Sequence, residues 1–313
     1  MSAGANARRE PARPTGWVWV AGELLAAGDR HLSAWDRGFQ LGDGVFETLR
    51  VRASHPTELA EHMTRLRRSA DGLAIALPED LEARVDAGLR ALLAAEGLDG
   101  PEGDAAVRIT VSRGVWAGRG TLPGKDEVLE ATIVIQAWPV APESVAPLDR
   151  GITVVTSAIR RDPGNPIVNL KTTSRADYVF AKLEARRASA DDALFLTVSG
   201  HLSEATSANV FLVRRAPDGI EELATPALDC AILAGTTRSW LLAWGRQAGL
   251  RVVESWITAD ELAAADEAFL CASVSGIVPI ASVDGRRIGA DGRPGPWTIR
   301  ARADREAFIR AEG

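Results

Sequence analysis

The chain has 313 residues, 46% of them hydrophobic and 25% charged, with a formal net charge of −6. That length exceeds what one core usually serves, so two domains are expected, and the composition is that of a globular protein. The negative balance argues against nucleic acid as the main partner, two cysteines argue against a disulfide framework, and four scattered histidines argue against a metal site. No apolar run reaches the roughly 18 residues that would span a bilayer, and the N-terminus lacks the apolar core of a secretory signal, so a cytoplasmic location without a membrane partner is expected.

In chain order, residues 1–15 are rich in Ala, Arg and Pro and are expected to be disordered. Trp17–Val20 reads as a short strand. Residues 35–44 read as a glycine-punctuated loop feeding a strand over residues 45–51. Alternation along that strand puts Phe46, Thr48 and Arg50 on one face and Val45, Glu47 and Leu49 on the other. The glycines have neither Rossmann nor P-loop spacing. Leu59, Met63, Leu66 and Leu73 predict an amphipathic helix over residues 58–74, on which His62 and Arg65 lie three apart and share a face. A second helix over residues 78–96 has Leu81, Val85, Leu89 and Leu92 as its inner stripe. Strands follow over residues 107–112 and 131–136, separated by a loop that carries Arg113, Trp116 and Arg119. Three prolines then stiffen a linker-like stretch. The expected division is a small domain over residues 16–138, a linker over 139–149 and a larger domain over 150–313.

The second half opens with a strand over residues 151–157 and carries helices over 175–189 and from about 235 to 249. Strands are predicted over 193–198, 209–213 and 267–272, and Thr258 with Glu261 has capping-box spacing. Strands and helices mix in both halves, which predicts an α+β or mixed α/β architecture without a doubly wound nucleotide fold.

Three pieces of this half carry chemistry. Lys171 is one of only three lysines; it follows an apolar run and precedes small hydroxyl residues. An amine at the end of a buried segment loses solvation, which lowers its pKa and frees its lone pair for attack on a carbonyl. Gly235, Thr236 and Thr237 at a helix start offer backbone N–H groups, hydroxyls and the positive end of the helix dipole, an anion site of the kind phosphate esters occupy. Ser273 can add a hydroxyl and Arg65 a charge. Glu204 sits among small residues just before a strand, where its carboxylate can be held inside a site. Amine, carboxylate and phosphate cradle are the three parts that pyridoxal phosphate needs.

Taken together these residues resemble the class IV pyridoxal-phosphate aminotransferases, the group of branched-chain aminotransferases, D-amino-acid transaminases and aminodeoxychorismate lyases. The anchors are residues 36–48, Glu61-His62-Met63-Thr64-Arg65-Leu66, Asn169-Leu170-Lys171, residues 203–211, and Gly235-Thr236-Thr237-Arg238. The resemblance implies a two-domain fold-type-IV architecture with the cofactor between a smaller N-terminal and a larger C-terminal domain, working as a homodimer. It makes Lys171 the Schiff-base lysine and proton carrier and Glu204 the partner of the pyridine nitrogen. It also makes Arg65, Thr236, Thr237 and Ser273 the phosphate ligands and has Ser207 packing the ring. Phe46, Thr48, Arg108, Arg119, Val274 and Ser275 fall on the substrate side.

The implied reaction moves an amino group between an amino acid or amine and a 2-oxo acid. The departures leave the substrate open. Branched-chain enzymes carry a tyrosine five positions after the lysine, where this chain has Ala176 and offers only Tyr178. The Arg-x-His pair of D-amino-acid transaminases is here Arg119-Gly120-Thr121. Arg113-Gly114 with Gly118-Arg119-Gly120, and Thr48, look more like the lyases, which eliminate pyruvate. Residues 273–286 look more like the transaminases.

Overall fold

The computed structural model describes residues 14–140 and 150–312. The first half contains β1 (Trp17–Val20), β2 (Glu23–Ala26), α1 (Arg37–Leu41), β3 (Gly44–Arg52), β4 (His55–Pro56), α2 (Leu59–Gly72), α3 (Leu81–Ala95), β5 (Asp104–Ser112) and β6 (Thr132–Pro139). Its strands form one antiparallel sheet in the order β2-β1-β6-β5-β3-β4. The apolar stripes of α2 and α3 lie on this sheet. Leu66, Leu81, Val85, Leu89 and Leu92 are buried with Val45, Leu49, Ile109 and Ile135, each such side chain contributing about 2 kcal/mol of transfer free energy.

The second half contains β7 (Ile152–Arg161), α4 (Ala176–Arg187), β8 (Asp192–Thr197), β9 (Leu202–Ala205), β10 (Asn209–Arg215), β11 (Glu221–Pro226), α5 (Thr236–Gln247), β12 (Arg251–Ser255), α6 (Ala259–Ala263), β13 (Glu267–Ala272), β14 (Gly276–Val283), β15 (Arg286–Arg287) and α7 (Pro296–Glu312). Its sheet runs β12-β11-β10-β13-β14-β7-β8-β9, with β15 on β14. The sheet is mixed: β12 on β11, β7 on β14 and β8 on β7 are parallel, and the remaining pairs are antiparallel. This is the expected α+β architecture. Every residue of β8 is buried because Ala181 and Ala185 of α4 cover one face, against Ala193 and Phe195, while Leu194 and Leu196 face the other core.

Several elements differ from the sequence expectation. The loop over residues 35–44 contains α1, whose first turn is capped by Asp36 accepting from the Gly38 N–H and which ends on Gly42 at φ 65°. Strand β6 runs past residue 136 to Pro139, which pairs with Ala105, so the linker expected from residue 139 begins inside a strand; residues 141–149 lie outside the described residues. Most of the tail expected over residues 1–15 lies outside them too. The capping box at Thr258 and Glu261 is present. Helix α7 does not follow from its arginine-rich sequence. It ties the halves together through ion pairs, Arg305 with Glu58 at 2.7 Å and Glu306 with Arg50 at 2.7 Å.

The halves also meet along one short seam. The Val45 end of β3 pairs with β5 on one side, and its other edge, beyond β4, takes residues 171–173 as an added antiparallel bridge. The Phe46 N–H donates to the Lys171 carbonyl (3.0 Å), the Thr173 N–H to the Gly44 carbonyl (2.9 Å), and the Lys171 N–H to Ser69 Oγ on α2 (3.1 Å). A Cβ on Gly44 would stand 2.8 Å from the Val111 carbonyl oxygen and 3.1 Å from Thr173 Oγ1. Gly44→Ala is therefore expected to cost about 1–3 kcal/mol, read as a lowered urea midpoint; an unchanged midpoint would mean that the seam has slack.

Candidate active site

A cavity of about 390 Å³ opens beside this seam, between the two sheets. Side chains alternate along β3, so Phe46 and Thr48 enter the cavity while Glu47 turns the other way, under α2. Lys171 lines the cavity with its Nζ 4.8 Å from the centre of the Phe46 ring. Burial and the Arg65 charge lower its pKa to about 8, against the opposing pull of Glu47 and Glu204.

At one end the cavity is lined by Gly235, Thr236 and Thr237, the N-cap and first turn of α5, whose N–H groups have no partner within the helix. Gly235 is required by close approach, because a Cβ there would lie 2.2 Å from Asn209 Oδ1. Thr237 Oγ1 is buried and has no partner among the described residues, and Thr236 Oγ1 lies 3.2 Å from Ser273 Oγ. Arg65 reaches the same end and donates through Nη1 to the Ala234 carbonyl (2.9 Å). Its remaining nitrogens grip Glu47, Nε at 2.8 Å and Nη2 at 2.6 Å. His62 Nδ1 lies 2.7 Å from the same carboxylate, and its Nε2 lies 3.4 Å from Thr236 Oγ1. Burial alone would raise the Glu47 pKa, but the hydrogen bonds from Arg65 and His62 hold it down to about 2. The helical pair His62 and Arg65 thus shares one buried acid, a role for Glu47 that the strand pattern alone does not reveal.

At the other end stands Glu204, on β9 and 6% exposed. Its Oε2 accepts from the Leu233 N–H at 2.8 Å, and its Oε1 accepts from the Tyr178 hydroxyl at 3.3 Å and lies 3.5 Å from Arg161 Nη2. Arg161 also donates to Tyr178 (2.6 Å) and to the Val168 carbonyl (3.0 Å). Burial and the Glu204 charge push the Tyr178 phenol up to about 12, so it stays a donor. Neither Arg161, the buried last residue of β7, nor Tyr178 is marked as a site residue by any local pattern in the sequence.

Ser207, Arg108, Val274 and Ser275 line the cavity. Arg119 is the exception: it is exposed and does not reach the cavity of its own chain. The reason is that its loop folds back on α1. The Arg37 guanidinium donates to the Thr121 carbonyl and stacks on Trp116, whose indole N–H donates to Glu127. Arg175, which no sequence motif singles out, does line the cavity. Among the described lining residues, Glu204 is the one carboxylate against four cationic side chains, Arg65, Arg108, Lys171 and Arg175. A buried orphan hydroxyl at a helix N-terminus, an arginine beside it and a carboxylate at the far end fit a phosphorylated ring with a basic nitrogen, with the lysine between them.

The chain is similar to known proteins over most of its length. A putative branched-chain-amino-acid aminotransferase of Methanocaldococcus jannaschii is 33% identical over 274 residues, covering 87% of this chain and 89% of the relative. A D-alanine aminotransferase of Bacillus licheniformis is 30% identical over 286 residues, covering 90% and 93%. The branched-chain aminotransferase of the thermophilic archaeon Thermoproteus uzoniensis, solved with norvaline, superposes with a TM-score of 0.82 at 26% identity over 96% of both chains. Residues 44–283 match the class IV amino-transferase profile, and with that match the chain belongs to the class IV aminotransferases, a pyridoxal-phosphate-dependent family, in their fold-type-IV architecture.

Proposed function

We propose that this chain is a transaminase that holds pyridoxal phosphate on Lys171 and moves an amino group between an amino acid or amine and a 2-oxo acid. The observation that carries the reading is an amine of pKa about 8 placed between a helix N-terminus with an unpaired buried hydroxyl and a carboxylate held by Tyr178. When bound, the cofactor supplies an aldehyde carbon that takes up amino groups and a ring that withdraws electrons from the carbon beside them.

The protein's part follows from its own side chains. Arg65, Thr236, Thr237 and Ser273 hold the phosphate, with Arg65 kept in place by Glu47. Glu204 holds a proton on the ring nitrogen, supported by the Leu233 N–H and the Tyr178 hydroxyl. Ser207 packs beside the ring. Lys171 is neutral often enough at neutral pH to accept the substrate's alpha proton at Nζ, and as an ammonium it returns that proton. Phe46, Thr48, Val274 and Ser275 shape the substrate side and exclude water, and Arg108 attracts a carboxylate there.

The same proposal includes a small domain over residues 16–138 and a larger one over 150–313, which the separation of the two sheets supports, with the linker of residues 139–149 leaving from the last residue of β6. It also includes a homodimer. Trp35, Phe39, Leu41, Val115 and Leu122 are exposed on and around α1, apolar area that a second copy would cover. A cytoplasmic location completes it; no described helix is long and apolar enough to cross a membrane.

Lys171→Ala is expected to lower amino-group exchange by at least about 10²- to 10⁴-fold, measured as 2-oxo acid formed from a panel of L-amino acids, D-amino acids and amines. Pyruvate released from aminodeoxychorismate with no acceptor present would instead assign the chain to the lyases of the family. The cofactor-free protein offers a second check through competitive acylation followed by mass spectrometry. Labelling of Lys171 should rise through about pH 8, because the neutral amine dominates only above its pKa. A profile still rising near the ordinary lysine value of about 10.4 would contradict the burial argument. Light scattering should return the mass of two chains.

A further inference from the structure

Resting on that reading of the site, we infer that Arg175, together with Arg108, forms a two-guanidinium clamp that makes dicarboxylates, rather than apolar branched-chain amino acids, the substrates of this chain. The cavity's other charges are already matched. Arg65 is paired with Glu47 and Glu204 with Arg161, and Lys171 is the reacting amine. Arg108 and Arg175 remain, and neither forms an ion pair with any carboxylate among the described residues.

The two lie on one aromatic platform. The Arg108 guanidinium carbon is 3.7 Å from the centre of the Phe46 ring and that of Arg175 is 5.7 Å from it, the ring that also carries the Lys171 amine at 4.8 Å. Arg175 has two further supports. It stacks on the Tyr178 ring at 3.0 Å, and its Nη2 donates to the Thr206 carbonyl at 2.8 Å. Arg108 donates from Nε to Thr110 Oγ1 at 3.2 Å. Among the described residues each guanidinium therefore uses one N–H of its five. Burial, and the neighbouring charge of Arg175, lower the Arg108 pKa, a sign that the two cations feel each other without an anion between them.

A ligand that fills this end has to answer that charge. An apolar amino acid brings only its α-carboxylate, so one of the two guanidinium groups would stay buried without a partner, which is unfavourable. A monocarboxylate satisfies one of them. A four- or five-carbon amino or oxo diacid presents a carboxylate to each, and planar forks suit carboxylates bidentately. Arg175 follows Lys171 by four residues at the start of α4, so one short segment carries both the reacting amine and half of the clamp.

The test uses the loaded wild-type enzyme with Arg175→Leu, Arg175→Lys and Arg108→Leu variants. The readout is the ratio of kcat/KM for aspartate and glutamate to that for alanine and leucine, in both enantiomers. The wild type should favour the diacids, and Arg175→Leu should lower that ratio roughly 10- to 100-fold, with Arg175→Lys recovering part of it. Binding of succinate against butyrate, followed by calorimetry, reads the same preference without turnover. If succinate binds and its affinity falls in Arg175→Leu while no transamination occurs, the clamp stands and the transaminase reading fails. If amino transfer proceeds with leucine turned over as well as glutamate, or Arg175→Leu weakens all donors equally, Arg175 is only a staple for Tyr178 and the clamp is overturned.

Discussion

Lys171 is held at both of its backbone polar atoms by the other half of the molecule, its N–H by Ser69 and its carbonyl by the Phe46 N–H. That double anchorage fixes where the side chain starts, and the cavity's charges act on an amine that cannot swing out to water by moving its backbone. The lowered pKa follows from this confinement. A lysine on a free loop would relax toward solvent and keep its ordinary basicity. The seam exists because Gly42 and Gly44 let residues 173 and 174 approach the start of β3, where any Cβ would meet Ser174, Thr173 or the β5 backbone.

Charge is distributed along the cavity in a definite order. The α5 terminus and Arg65 make one end receptive to an anion, while Glu204 with its tyrosine and arginine makes the other end receptive to a protonated ring. Glu47 is central to the first end although it never enters the cavity. It neutralises Arg65, engages His62 and so fixes two groups that reach across to Ala234 and Thr236 of the other half. The carboxylate works below the surface of the site, positioning a cation that lines the cavity.

Much of this is legible in the sequence because it rests on local pattern. Period-two alternation separates Phe46 and Thr48 from Glu47, helical spacing brings His62 and Arg65 to one face, and the Gly-Thr-Thr start of α5 announces an anion site. The parts that are not legible depend on contacts between distant segments. Arg161 pairs with Glu204 only because β7 and β9 flank the same strand, β8, and Arg175 is held at the cavity by the Thr206 carbonyl, which lies just past β9. Arg119 goes the other way: its flanking glycines look like a substrate loop, but Arg37 and Trp116 draw that loop onto α1. Helix α7 escapes notice because its buried face is held by Arg305 as much as by Ala301 and Ile309, and a charged inner position defeats an apolar-stripe reading.

The chain contains a single tyrosine, and it is the one that leans on Glu204. Any ultraviolet signal from phenol ionisation in this protein therefore originates at one spot, the floor of the cavity, with no background from elsewhere in the fold. The molecule thus carries its own optical gauge of the electrostatic field there, one that needs no label.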